Sequence, residues 1–260
     1  MSRALQRWII EQSHASNVGH ISSALSITDL ISVLWGGVME KPGTTLPDRD
    51  RLILSKGHAA LSLYAAMRWS GVIDEQTYNT YCGDGSVLGV HPDCALEGID
   101  LSTGSLGHGL SVACGLALGF RKRNLLPRVF ALLSDAECNE GQVWEAAMFA
   151  AHHKLSNLTA VIDLNGLQAF GRTRDVLDVN QPAIWQAFGW DVREVDGHDV
   201  EELLEQLAPQ AFENAKPRVL IARTVGGHGV SFMEDQVDWH YRNMTEEHAA
   251  QALRELETPT

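Results

Sequence analysis

An acidic turn, Ser134-Asp135-Ala136-Glu137-Cys138-Asn139-Glu140-Gly141, follows the apolar run Val129 to Leu133 and leads into a helix-forming stretch. A second apolar run, Leu158 to Ile162, ends at Asp163-Leu164-Asn165-Gly166, which puts Asn165 thirty residues beyond Asp135. Parallel strands joined by a helical crossover end on the same edge of a sheet, so this spacing can bring a carboxylate and an amide oxygen together. Hard oxygen donors beside a helix N-terminus suit a magnesium ion carrying a diphosphate. Helix capping accounts for a lone Asp at a strand end, but it leaves the Asn one crossover later without a role. An EF-hand loop is the other ion-binding reading of Asp135-x-Glu137-x-Asn139. It fails because Glu140 stands where that loop needs Gly and Ala146 where it needs a bidentate Glu.

Four histidines, His20, His58, His91 and His228, stand beside Gly or Pro in turns, where small neighbours leave an imidazole room to face a ligand. Such a group can donate to a phosphate or to an oxyanion at a carbonyl, and can carry a proton. Each one alone is better explained as a structural histidine. His14, His152, His153, His198 and His248 are expected at the surface, and His108 either polarises a site or caps locally.

Positioning these residues takes alternating strands and helices. The patterns predict strands at Arg51 to Leu54, Arg128 to Leu133, Leu158 to Asp163, Asp191 to Val195 and Arg218 to Thr224. Helices are predicted at Arg3 to Ser16, Ser26 to Val38 (entered through Ser26 and Asp29), Gly57 to Trp69, Asp74 to Tyr81, Leu106 to Arg121 and Gln142 to His153. Asp199-x-x-Glu202 is a capping box opening a further helix towards Asn214. The alternation implies an α/β fold, a doubly wound parallel sheet flanked by helices, with the ligand crevice beyond the carboxyl ends of the strands.

With 260 residues and no linker-like break, one domain over 1–260 is the simplest expectation. A formal charge of −13 with scattered basic residues disfavours nucleic acid or an anionic membrane as partner. Cys82, Cys94, Cys114 and Cys138 form no C-x-x-C pair, so reduced thiols in a cytoplasmic protein are expected. The N-terminus lacks the apolar core of a signal peptide, and no stretch approaches the roughly 18 apolar residues of a membrane span.

Asp135 through Ala146, followed by Asp163-Leu164-Asn165-Gly166-Leu167-Gln168, resembles the thiamine-diphosphate motif of transketolases. The same family's order is matched by Gly19-His20, Leu54-Ser55-Lys56-Gly57-His58-Ala59, Gly89-Val90-His91-Pro92, Ser102 through Gly109, Gly226-Gly227-His228-Gly229 and Asp238-Trp239-His240. The resemblance implies that Asp135 and Asn165 through side chains, and Leu167 through its carbonyl, ligate Mg2+ (or Ca2+ or Mn2+). It implies that Gly104, Ser105 and Leu106 pass against the cofactor, that Ala136 lies at the diphosphate, and that Glu140 is a carboxylate near a dimer interface. By the same resemblance His58 and His228 touch the diphosphate, while His20 and His91 face the sugar.

Three departures accompany the resemblance, one of them Leu164 in place of a common Asn or polar residue. Ala136 replaces the usual Gly and restricts φ, which predicts a shifted or weaker cofactor site. The chain also resembles only about the first third of a complete transketolase and shows no counterpart of the pyrimidine-binding domain with its essential Glu. The implied protein is the diphosphate-binding subunit of a split transketolase, transferring a two-carbon ketol unit from ketose to aldose in an α2β2 assembly with a C-terminal subunit. Another thiamine-diphosphate reaction, a cofactor-free scaffold role, and metal-dependent hydrolysis by Asp135, Glu137 and Glu140 are the alternatives.

Overall fold

The computed structural model describes residues 1–169, 171–179, 182–209 and 216–257. Its strands are β1 (Arg51–Leu54), β2 (Val129–Ser134), β3 (Leu158–Leu164), the short pair β4 (Leu167–Gln168) and β5 (Gly171–Arg172), then β6 (Asp191–Asp196) and β7 (Arg218–Arg223). β1, β2, β3, β7 and β6 form, in that order, a parallel sheet, with Ser134 opposite Asp163 and Leu164 opposite Arg223. The order runs one way from β1 to β3 and returns from β6 to β7, so the winding reverses between β3 and β7. A crevice opens at the carboxyl ends of such a pair.

The α-helices are α1 (Ser2–Ser16), α2 (Ile21–Ser26), α3 (Thr28–Val33), α4 (Ala60–Trp69), α5 (Glu75–Tyr78), α6 (His108–Lys122), α7 (Gly141–His152), α8 (Thr173–Val176), α9 (Pro182–Phe188), α10 (Val200–Leu207) and α11 (Glu246–Glu257). Alternate strand residues feed two separate cores. Phe130, Leu132, Val161, Leu220 and Ala222 face the side covered by α1 to α4, α10 and α11. Val129, Ala131, Leu133, Leu158, Ala160, Ile162, Val219 and Ile221 face α6, α7 and α9. A strand buried on both faces cannot alternate apolar with polar residues, which is why these runs are continuously apolar.

The helix expected over Ser26 to Val38 differs most. Ser26 does not open a helix; α2 already ends there and α3 begins at Thr28, followed by a π-helical turn at Leu34–Val38. Local capping preference lost to tertiary bonding, because the Ser26 hydroxyl donates to Asp163 of β3 at 2.7 Å and Asp29 meets His198 at 2.9 Å. The helix expected from Gly57 begins as a 3-10 turn, and the one from Asp74 closes at Tyr78, with Asp74 accepting from the Thr77 amide at 2.7 Å. Asp199 caps α10 as expected, through the amides of Glu201 and Glu202. The helix is shorter than expected, ending at Leu207 because Ala208 at its C-cap turns out of helical geometry (ψ 150°), and residues 210–214 of the stretch towards Asn214 lie outside the described residues.

Gly109 shows how tightly α6 is pressed on the end of β1. A Cβ there would lie 2.2 Å from the Ser55 hydroxyl and 2.9 Å from its Cα. Gly109→Ala should therefore destabilise the chain by about 2–3 kcal/mol, the cost of overfilling a close contact. Chemical denaturation reads this directly, and an unchanged midpoint would show that α6 can shift.

Candidate active site

β2 and β3 end side by side, and their tips touch. Asp135, fully buried, accepts from the Ala136 amide at 2.8 Å through Oδ1 and from the Gly166 amide at 2.8 Å through Oδ2, with Thr173 Oγ1 at 3.3 Å. Asn165 accepts from the Leu167 amide at 2.9 Å through Oδ1, while its Nδ2 donates to Asp163 at 3.0 Å and to Ser26 at 3.2 Å. The carboxylate and the amide oxygen expected from the sequence thus sit on adjoining loops of one sheet edge.

Burial and the neighbouring Asp163 push the Asp135 carboxyl up to about 7, against the opposing pull of the two amides. A buried carboxylate held in this way gains from an added cation. The donor set is all oxygen, which is the chemistry magnesium prefers. Ala136 has no left-handed φ, so its methyl imposes no backbone strain here.

A second group is built of imidazoles. His20 lies 5.3 Å from both His58 and His240, and His58 lies 5.6 Å from His240, ring centre to ring centre. His20 holds a left-handed φ of 63° at the start of α2, and its amide donates to the His240 carbonyl at 3.2 Å. Gly19 is required beside it, since a Cβ would come within 2.5 Å of the Tyr241 carbonyl. Strain of this kind persists only where the surroundings enforce it. His20 Nδ1 is buried with no protein partner, as a ligand-facing atom would be.

Burial lowers the pKa of all three rings. His58 falls well below its ordinary value through desolvation and then Lys56; His240 falls to about 4 through desolvation and then His20. His20 is lowered by desolvation, His91 and Lys56, and His91 by desolvation. All four are neutral at pH 7 and able to donate or accept. His91 lines the Gly104 backbone, where a Cβ would stand 3.4 Å from its ring.

The matching family is that described as "Transketolase, thiamine diphosphate binding domain", over residues 2–258. This chain belongs to the transketolase family. An apulose-4-phosphate transketolase subunit from Phocaeicola vulgatus is 36% identical over 95% of this chain and 89% of its own length. The 6-deoxy-6-sulfo-D-fructose transketolase subunit SqwG from a Clostridium species is 35% identical over 98% and 94%. Transketolase-like protein 2 from Bos taurus is 40% identical over 94% of this chain, which spans 40% of that relative. Among solved structures, transketolase from Campylobacter jejuni superposes with a TM-score of 0.90 at 29% identity, over 98% of this chain and 42% of its own.

Not every expected residue gathers at the centre of this site. His228 stacks on His198 instead, ring centres 3.6 Å apart and planes at 18°. His198 is accordingly no surface residue: its Nδ1 donates to Asp29 at 2.9 Å and its Nε2 accepts the Val225 amide at 2.9 Å. Asp29, His198 and His228 lie close enough together to suggest a metal trio. The Val225 N–H leaves the imidazole proton on Nδ1, the atom a cation would need bare, and so works against that reading. His14 and His248 are half-buried, while His152 and His153 are exposed as expected. His108 caps locally, its Nδ1 lying 3.1 Å from the Ser105 carbonyl.

Glu140 and Ser105 are exposed, Leu106 and Asn165 are half-buried, and Leu167 is buried. Glu140 abuts Gly107, where a Cβ would come within 2.7 Å of it. His240, Lys56 and Asp163, to which the sequence assigns no role, also stand here, and Glu137 enters the sequence reading only as a hydrolytic acid. Glu137, fully buried, fastens β1 to the start of α6 by accepting from Ser55, from the Gly107 amide at 2.7 Å and from the Ser134 amide at 3.3 Å. His240 and Lys56 stood inside matched segments, and that was the signal available. Cys82 and Cys94 are exposed and Cys114 and Cys138 buried, all four as free thiols. No helix among the described residues is long and apolar enough to cross a membrane.

Proposed function

We propose that this chain is the diphosphate-binding subunit of a split, cytoplasmic transketolase. It would transfer a two-carbon ketol unit from a ketose to an aldose, phosphorylated or related, and act only with a second chain bearing the pyrimidine-binding domain, in an α2β2 assembly. The observation that carries this is the bond to Asp135 from the Gly166 amide, next to Asn165, on one sheet edge where Lys56 pairs with Asp163, together with the neutral imidazoles of His20, His58 and His240. Support for the split arrangement comes from relatives matched along most of their length and named as transketolase subunits.

Thiamine diphosphate, when bound, supplies the carbanion chemistry. Asp135 and Asn165 through side chains, and Leu167 through its carbonyl, would hold Mg2+ (or Ca2+ or Mn2+), with diphosphate oxygens completing the shell. Gly104 to Leu106 and Ala136 would lie against the cofactor. His58 would donate to the diphosphate, with His240 in the place first expected of His228. His20 and His91 would donate to the sugar's carbonyl and hydroxyl oxygens and return protons to them. The lowered pKa values keep these rings neutral, as that exchange requires. Glu140, exposed in the single chain, would be covered by the second copy.

Mixing this chain with a pyrimidine-domain chain encoded beside it, with Mg2+ and thiamine diphosphate, should raise turnover of xylulose 5-phosphate and an aldose acceptor at least about 10³-fold over either chain alone. A mixture inert with this and other ketoses would sink ketol transfer. Metal-dependent hydrolysis without thiamine would replace it.

A further inference from the structure

Asp163 is the most heavily bonded side chain in the site. It stands one residue before the end of β3, on the same face as Val161, fully buried, with four donors upon it. Ser26 Oγ, at 2.7 Å, and Thr224 Oγ1 donate to Oδ1; Lys56 Nζ and Asn165 Nδ2, the latter at 3.0 Å, donate to Oδ2. Lys56 is itself only 1% exposed. The main-chain carbonyl of Asp163 also accepts the Asp135 amide at 3.1 Å, tying the two loop tips together.

This arrangement has a directional consequence for Asn165. A primary amide has two N–H donors on one side and a carbonyl oxygen on the other. Asn165 directs both N–H bonds to acceptors, Asp163 Oδ2 and Ser26 Oγ at 3.2 Å. Turning the amide over would set its oxygen against a buried carboxylate and strand its N–H groups, so only one orientation is tolerable. Oδ1 is thereby pointed into the 165–167 loop, where the Leu167 amide reaches it at 2.9 Å. Lys56 has a second effect, because its ammonium satisfies the oxygen of Asp163 nearest to Asn165. A carboxylate paired in that way accepts hydrogen bonds without competing for a cation.

We propose that Asp163, held by Lys56 and Ser26, is the positioning residue that fixes the Asn165 amide with its oxygen towards the cation and withholds its own carboxylate from it. This rests on the reading of Asn165 as a metal ligand. Partners behind a metal ligand typically change affinity about 10- to 100-fold when removed.

The test uses Mn2+ as probe, with free Mn2+ read by electron paramagnetic resonance in the presence of thiamine diphosphate, on the full chain alone and mixed with its pyrimidine-domain chain. Ser26→Ala removes one acceptor of the amide and one donor to Asp163 without changing charge. It should weaken Mn2+ affinity about tenfold, and Asp163→Asn about 100-fold. Should Asp163→Asn fail to fold with Lys56 unpaired, Ser26→Ala decides. A merely structural role lowers the metal-free melting temperature of Ser26→Ala and leaves its Mn2+ affinity at the wild-type value, which would overturn the proposal. A wild-type chain that takes up no Mn2+ in either preparation would instead overturn the metal reading of Asp135 and Asn165, and the positioning role with it.

Discussion

Asp135→Asn is expected to abolish metal-dependent cofactor binding and to lower the activity of the assembled enzyme at least about 10³-fold, while the metal-free chain still folds. The loss follows from exchanging the one charged ligand that the protein supplies. Folding should survive because the variant removes a buried charge rather than creating one. The amide can still accept from Ala136 at one position and exchange a hydrogen bond with Thr173 at the other, losing mainly the bond from Gly166.

The same variant makes a prediction about pH. The Asp135 carboxyl is pushed up to about 7 in the folded chain, chiefly by burial and then by Asp163. In the unfolded chain it titrates near 3.9. Between these values the folded state holds a proton that the unfolded state has released, so this group's contribution to stability is full below about pH 4 and falls as pH rises to about 7. The lowered pKa values of His20, His58, His91, His228 and His240 act oppositely, adding stability as pH rises through the ordinary histidine range. The net profile therefore mixes both signs, and the informative quantity is the difference between wild type and Asp135→Asn. Without metal, the wild-type melting temperature should drop relative to the variant between pH 5 and pH 7.5, and Mg2+ with thiamine diphosphate should reverse the drop. Parallel profiles would show that Asp135 is ionised throughout, with Lys56 rather than a bound cation as its counter-charge.

The sheet was legible because β2, β3 and β7 are buried on both faces and read as unbroken apolar runs. Asp135 and Asn165 were legible for a related reason: each follows its strand directly, so local sequence places it. The residues that lock them are supplied from elsewhere. Ser26, Lys56 and Thr224 come from three distant segments and meet only at Asp163. Ser26 looked like a helix start because capping is a local preference, and nothing local announces a carboxylate 137 residues further along the chain. Glu137 looked like one more acid in an acidic turn, although its side chain turns inward to hold Gly107 and Ser55.

The histidines divide along the same line, and they carry the sharpest remaining prediction. Gly226-Gly227-His228-Gly229 has the small neighbours of a ligand-facing turn, whereas His240 follows a bulky Trp239. Flanking residues could not show that His198, on the loop after β6, stacks on His228, or that the 3-10 turn Val237–His240 delivers His240 to His20 and His58. His240→Ala should therefore lower kcat of the assembled enzyme by about 10²–10³-fold, in the range of a lost proton donor at a reacting or phosphate oxygen. His228→Ala should cost less than about tenfold, since its imidazole meets the His198 ring and the more distant carboxylates of Asp29 at 3.8 Å and Glu234 at 3.7 Å. Single-turnover kinetics on both variants, each checked for an unchanged far-ultraviolet spectrum, separates the two roles. A reversed ranking would mean that the 225–229 loop swings over the cofactor in the assembled enzyme and that the imidazole cluster around His20 serves the fold rather than the reaction.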